Sequence, residues 1–218
     1  DKILTSRRGT MNQFAALTNP ERRTKGKEQD IDLLKIATEI KKEKKIIELF
    51  QEKSDVIVKG LERFPVVHKL INVHVQKYCW LPCTYENDPH TKLYFISLLT
   101  SLIKSNPKKE LEDIIAKEKR NKEEKIKAKK ELRLSPEEER LFDTASEMIF
   151  FKADRKDIFF QSYYEMRPLI KEIGKRIGLE AKETMYLLPE EVKEALLKDK
   201  LDRKEVQRRR EYCFIYCN

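Results

Sequence analysis

The chain has 218 residues, of which 39% are charged and 39% hydrophobic, with a formal net charge of +9. The charged fraction is far above the roughly 25% of an average globular domain, while the apolar share still suffices for a core. With only 5 Gly and 8 Pro, the chain is short of the punctuation that a many-turned β-sandwich needs. No apolar run approaches the length of a membrane span and no signal-peptide core is visible, which points to a cytoplasmic protein without a membrane partner. The basic balance permits weak polyanion binding.

Residues 1–29 carry Arg7, Arg8, Arg22, Arg23, Lys25 and Lys27 with little periodic apolar content, and read as a basic irregular arm. Residues 30–104 form a first helical region. Leu33, Ile36, Ala37, Ile40, Ile47 and Phe50 recur at helical intervals, with a slip of phase near Lys44. A helix is expected over Asp55–Glu62, weakened by Gly60. Another starts at Phe64-Pro65, continues through Val66, Val67, Leu70 and Val73, and stops before Trp80-Leu81-Pro82. After the loop LPCTYENDPH, Asp88-Pro89 suits a helix start. Leu93, Ile96, Leu99, Leu102 and Ile103 share a face up to Asn106-Pro107.

Residues 105–134 read as a charged helical hairpin. Leu111, Ile114 and Ile115 give one apolar patch, and Glu118 with Lys122 and Glu123 with Lys127 stand at i,i+4, as in a solvated helix crossing open water. Residues 135–218 are the C-terminal helices. Ser135-Pro136 with Glu138 is a capping box, and Leu141, Phe142, Ala145, Met148 and Ile149 follow on a helix face up to a break near Asp154. In DRKDIFFQSYYEMRPLIKEIGKRIGL, residues 154–179, the residues Ile158, Phe159, Ser162, Tyr163, Met166, Leu169, Ile170, Ile173 and Ile177 make a single stripe expected to face inward. Pro168 predicts a bend, and Gly178 suits a C′ position or, with Gly174, a close helix approach. Leu188-Pro189-Glu190-Glu191 starts a helix that would bury Val192, Ala195 and Leu196, and YCFIYC has the composition to begin a strand. The fold expected is all-α: an irregular multi-helix bundle with a long charged helical hairpin and a short C-terminal strand.

The run 154–179, followed by YLLPEEVKEAL and RREY, resembles the helical region that precedes the swivelling phosphohistidine domain of phosphoenolpyruvate-utilising enzymes, of the pyruvate–water dikinase and rifampin phosphotransferase type. The stretch VHVQKYCWLPCTYENDPHTKLYF resembles an upstream part of the same region. The resemblance covers residues 135–212 and, more weakly, 30–104, and leaves out the arm. It implies a non-catalytic module of a phosphotransferase-like protein, supporting a mobile phosphohistidine-type domain attached after Asn218. The chain opens on Asp1 and stops just after YCFIYC, and so reads as a piece of a longer polypeptide. The family's own catalytic parts do not carry over. His68, His74 and His90 are the only histidines and none lies in a Thr-Ser-His-like motif, nor do the scattered glycines make a phosphate loop. No cofactor is expected.

Two sets of side chains remain as candidate sites. Arg155, Arg167 and Lys171 on the 154–179 helix suit phosphate or anion contact, against the plainer reading of structural salt bridges. Cys79, Cys83, Cys213 and Cys217 have equal spacing in two pairs and make either a tetrahedral metal site or buried free thiols. The competing function is a basic helical protein binding RNA or another anionic partner, with Arg208-Arg209-Arg210 and the arm as its basic clusters.

Overall fold

The computed structural model describes residues 2–6, 9–84 and 87–212. The fold is all-α, and no strand occurs among the described residues. The strand expected in YCFIYC lies, from Cys213 onward, outside them.

In chain order the helices are α1 (Lys2–Ser6), α2 (Met11–Thr18), α3 (Lys25–Ile40), α4 (Lys44–Leu49), α5 (Ser54–Gly60), a 3-10 turn (Leu61–Arg63), α6 (Pro65–Tyr78), α7 (Lys92–Leu102), α8 (Pro107–Glu131), α9 (Pro136–Ile177), α10 (Ala181–Thr184), α11 (Pro189–Lys198) and α12 (Arg203–Glu211). The chain divides into two compact units, one of residues 1–81 and 90–158, the other of residues 82–89 and 159–218.

The first unit is organised around α3, which packs against α6, α7 and α8. It buries Ile31, Leu33, Leu34, Ile36, Ala37 and Ile40. The slip of phase near Lys44 is a real end: α3 stops at Ile40 and α4 restarts at Lys44, burying Ile46 and Leu49, with Phe50 buried just beyond it. Gly60 matters here, because a Cβ on it would collide with the Leu49 side chain.

Several expectations need correcting. The arm is not irregular. Thr10 caps α2 through a capping box with Gln13, and Leu17 is fully buried in a cluster with Ala128, Leu132 and Phe142. Three apolar residues in a short window were enough once α8 offered a surface. The hairpin expected over 105–134 is one helix, α8, and it does not cross open water: α2 and α3 lie along it. In α6 the buried positions are Val67, Ile71, His74 and Tyr78, whereas Val66, Leu70 and Val73 face out. Both sets have helical spacing, and the ring-bearing one wins because it buries more area. The start of α7 is capped by Thr91, whose Oγ1 accepts the Tyr94 N–H at 3.3 Å, rather than by Asp88.

The capping box before α9 forms as expected, with the Ser135 N–H donating to Glu138 Oε2 at 2.8 Å and the Glu138 N–H to Ser135 Oγ at 3.3 Å. The helix then runs unbroken past Asp154 and through Pro168.

The second unit ends α9 with Gly178 at φ 69, as its C′ role requires. Arg203 donates to Gly178 O at 2.7 Å and Ile177 O at 3.1 Å, satisfying two of the carbonyls that a helix end leaves open. Val206 and Ala195 are buried, while Leu196 is exposed against expectation.

Candidate functional site

The stripe in 154–179 is where the structure departs most from the sequence reading. Phe159, Met166 and Leu169 in the second unit are 53%, 44% and 61% exposed. Tyr163, Ile170, Ile173 and Ile177 are half-buried. The inward-facing assignment fails for the first three, for the exposed Ser162 and, in the first unit, for Ile158, which is 57% exposed. In the first unit the same helix buries Phe142, Ser146 and Phe150, and Ser146 Oγ donates to Asn19 O at 3.0 Å. Leu141, Met148 and Phe151, on the other side of α9, are exposed. In that unit α9 is therefore apolar on two sides, and only one of them is filled.

Arg167 and Lys171, one turn apart on α9, line an open hollow of about 560 Å³ with Tyr164, Pro168, Ile170 and Ala181. Arg167 is already engaged by the Asp88 carboxylate and by Asn87 O at 3.4 Å, and Lys182 approaches Asp88 at 3.9 Å. Arg155 is exposed and belongs to the other unit, so the structure gathers two of the three expected anion ligands and not the third.

A second concavity, of about 440 Å³, lies in the first unit between the 19–24 segment, α8 and α9. Arg23 grips Glu118 with two hydrogen bonds of 2.9 and 2.6 Å, and Lys27 adds an ion pair at 3.3 Å. The Arg23 hydrogen bond, aided by Lys27 and opposed by burial, pulls the Glu118 carboxyl down to about 2. Arg22 lies over the Phe150 ring at 4.0 Å. Lys125, its side chain 9% exposed, sits between Glu21 at 3.4 Å and Asp143 at 3.2 Å. The Lys25 N–H at the start of α3 donates to Asp157 Oδ2 at 3.1 Å, a carboxyl that burial raises above its usual range. Several cations of the cleft are thus paired with carboxylates, and these pairs fasten the arm to α8 and α9.

The intrahelical pairing expected for Glu118 with Lys122 is replaced by these contacts from residues 95 and 91 positions earlier in the chain, for which periodicity gives no signal. The Arg208–Arg210 cluster is likewise absorbed. Arg209 makes a bidentate pair with Glu191 at 2.7 and 2.8 Å, Arg208 pairs with Glu205 at 2.8 Å, and Arg210 reaches Glu183 at 3.3 Å.

Cys79 and Cys83 are buried, unbridged thiols, and Cys213 and Cys217 lie outside the described residues. Among the described residues no cluster of His, Cys, Asp or Glu has the make-up of a metal site. No helix among them is long and apolar enough to cross a membrane. The chain matches no protein-family model, no curated protein and no solved structure.

Proposed function

We propose that the chain is a non-catalytic helical module of a phosphoenolpyruvate-utilising, phosphohistidine-type phosphotransferase protein, and that it supports and orients a mobile domain joined after Asn218. The observation that carries this reading is the second apolar side of α9. Leu141, Met148 and Phe151 in one unit, and Phe159, Met166 and Leu169 in the other, leave large side chains facing solvent on one long helix. Large apolar side chains left exposed in each unit suit the docking of another folded body. The likeness of residues 135–212 to the segment that bears the swivelling domain names the kind of body. Reduced thiols at Cys79 and Cys83 suit a cytoplasmic setting.

The alternative, a module that grips RNA or another polyanion, is disfavoured by the pairing of Arg23, Lys27, Lys125 and Arg209 with carboxylates. Binding phosphates would require breaking those pairs.

Mild peroxide oxidation of methionines tests the docking reading. Met11, 71% exposed, serves as the control for Met148 at 68% and Met166 at 44%. In the polypeptide extended past Asn218, Met148 and Met166 are expected to oxidise about five-fold more slowly than in the present chain, with Met11 unchanged. Equal rates at Met148 and Met166 in both would remove α9 as the supporting surface.

A further inference from the structure

Most lysines of the first unit that make a polar contact make it with a carboxylate. Lys92 instead has its Nζ 2.9 Å from His68 Nε2. A neutral imidazole accepts a hydrogen bond from the amine but cannot neutralise its charge. Lys92 is also the first residue of α7, where the helix macrodipole disfavours a cation. Burial depresses its affinity for a proton further, opposed by Glu62 on the 3-10 turn. Lys92 also lines an open hollow of about 470 Å³, together with Val58, Leu93, Asp55, Lys59 and Thr91.

We propose that Lys92 is a nucleophilic amine that condenses reversibly with small aldehydes of apolar chain entering the hollow between α5 and the start of α7, with His68 as its proton carrier. The Nζ lone pair attacks the carbonyl carbon. A C–N bond forms and the C=O π pair moves to oxygen. Nζ gives a proton to His68 Nε2, and the imidazolium passes it to that oxygen, which makes the neutral carbinolamine. A proton that His68 then takes from water goes to the carbinolamine hydroxyl, which leaves as water as the C=N bond forms, and the proton left on Nζ returns through His68 to the solvent. One amine and one aldehyde give one imine and one water, with no change of oxidation state. Val58 and Leu93 receive the chain of the aldehyde, and the side chains of Asp55 and Lys59 on α5 flank the mouth.

The test is trapping by propanal and cyanoborohydride at pH 7, with each alkylated lysine located by mass spectrometry. Lys92 is expected to alkylate about ten-fold faster than the exposed Lys171, and the gap should close near pH 10 as ordinary lysines lose their protons. His68→Gln keeps an acceptor for the amine but cannot carry a proton. It is expected to slow alkylation of Lys92 several-fold, while leaving it faster than Lys171 at pH 7, without shifting the melting temperature. If His68→Gln does not fold, the wild-type pH profile of Lys92 alone decides, since a reactive amine must show its midpoint below that of Lys171. Equal rates for Lys92 and Lys171 at pH 7, or a coincident pH profile, would overturn the proposal, and an unchanged Lys92 rate in a folded His68→Gln would overturn the role of His68.

Discussion

The Tyr78 hydroxyl donates to Asp32 Oδ2 at 2.7 Å and so ties α6 to the first half of α3. Lys77 adds an ion pair to the same oxygen at 3.0 Å, and Lys35 one to Oδ1 at 3.0 Å. Burial alone would raise the Asp32 carboxyl, but the hydrogen bonds from Tyr78, Lys35 and Lys77 outweigh it and hold the group at about 2. Because Tyr78 is fully buried, Tyr78→Phe should fit its site, and the loss is that of a hydrogen bond to a charged acceptor, about 2 kcal/mol. The Asp32 contribution is present above its unfolded value of 3.8 and lost as pH falls from there through about 2. Urea titrations at pH 7 and pH 2.5 should therefore show a smaller wild-type to Tyr78→Phe difference at the lower pH. An equal difference at both would show that the bond does not depend on the carboxylate.

His74 packs beside the same tyrosine, with ring centroids 4.7 Å apart, and against Phe95 at 4.9 Å. It is 3% exposed and neither ring nitrogen has a partner. Burial, with a smaller push from Lys77 and opposed by Asp32, lowers the group to about 4 from 6.5. The unfolded chain therefore binds a proton more readily between those values. Stability should fall as pH drops through 6.5 and level off below about 4, by about 3 kcal/mol in all. His90, also lowered by burial, adds a loss of the same sign. His74→Leu removes an unsatisfied buried polar group, so it should be at least as stable as wild type at pH 7.5 and clearly more stable at pH 5. Chemical denaturation at the two pH values gives the answer, and a pH dependence as steep in His74→Leu as in wild type would refute it.

How far the sequence could be read depends on how local the cause was. The Ser135 box before α9, Pro65 at N1 of α6, and Gly178 past the end of α9 are all set within a few residues, and they stand where the sequence put them. The choice of buried face was less legible. In α6, Val66, Leu70 and Val73 repeat as regularly as Val67, Ile71 and His74, and the packing of α3 and α7 decides between them. In α9 a helix apolar over much of its circumference reads as wholly buried, yet its neighbours cover only the Phe142 and Phe150 side in the first unit. Longest in reach, and invisible to any periodicity, are the contacts made by the arm: Leu17 in the α8 cluster, Arg23 on Glu118, and Lys25 on Asp157.

The Arg23–Glu118 bond is the arm's main polar anchor, and Lys27 leans on the same carboxylate. Glu118→Gln keeps the shape and removes the charge. Since the Arg23 side chain is 39% exposed, solvent screens the pair, and about 1 kcal/mol is the expected loss. That is enough to open the arm more often. Limited trypsin digestion should cut after Arg22 and Arg23 about five-fold faster in Glu118→Gln, while cuts in α12 stay unchanged. In wild type the same opening should appear on acidification, as Glu118 loses stabilisation from 4.5 down through about 2. A uniform rise in cleavage along the chain would instead mean global destabilisation.

In the second unit, Gly174 and Gly178 are glycines for different reasons, and their alanine variants should separate them. Gly174 has ordinary helical geometry, but an added Cβ would stand 2.6 Å from Thr184 Oγ1 and 2.7 Å from the Leu179 carbonyl oxygen. The backbone oxygen is held by the turn that closes α9, where the Leu179 N–H donates to Gly174 O at 2.9 Å, so it cannot move aside without opening that turn. Gly174→Ala should cost about 3 kcal/mol, as overpacking against fixed backbone does. At Gly178 the obstacle is the left-handed φ of 69, and the nearest group to an added Cβ is the flexible Arg203 guanidinium at 2.9 Å. A side chain there costs about 1 kcal/mol of backbone strain, plus whatever Arg203 loses in shifting from the α9 carbonyls. The order Gly174→Ala below Gly178→Ala in urea midpoint, with Arg203→Ala adding less to Gly178→Ala than to wild type, is the expected result. The reverse order would mean that the close approach of α9 to Thr184 and Leu179 is not what makes position 174 a glycine.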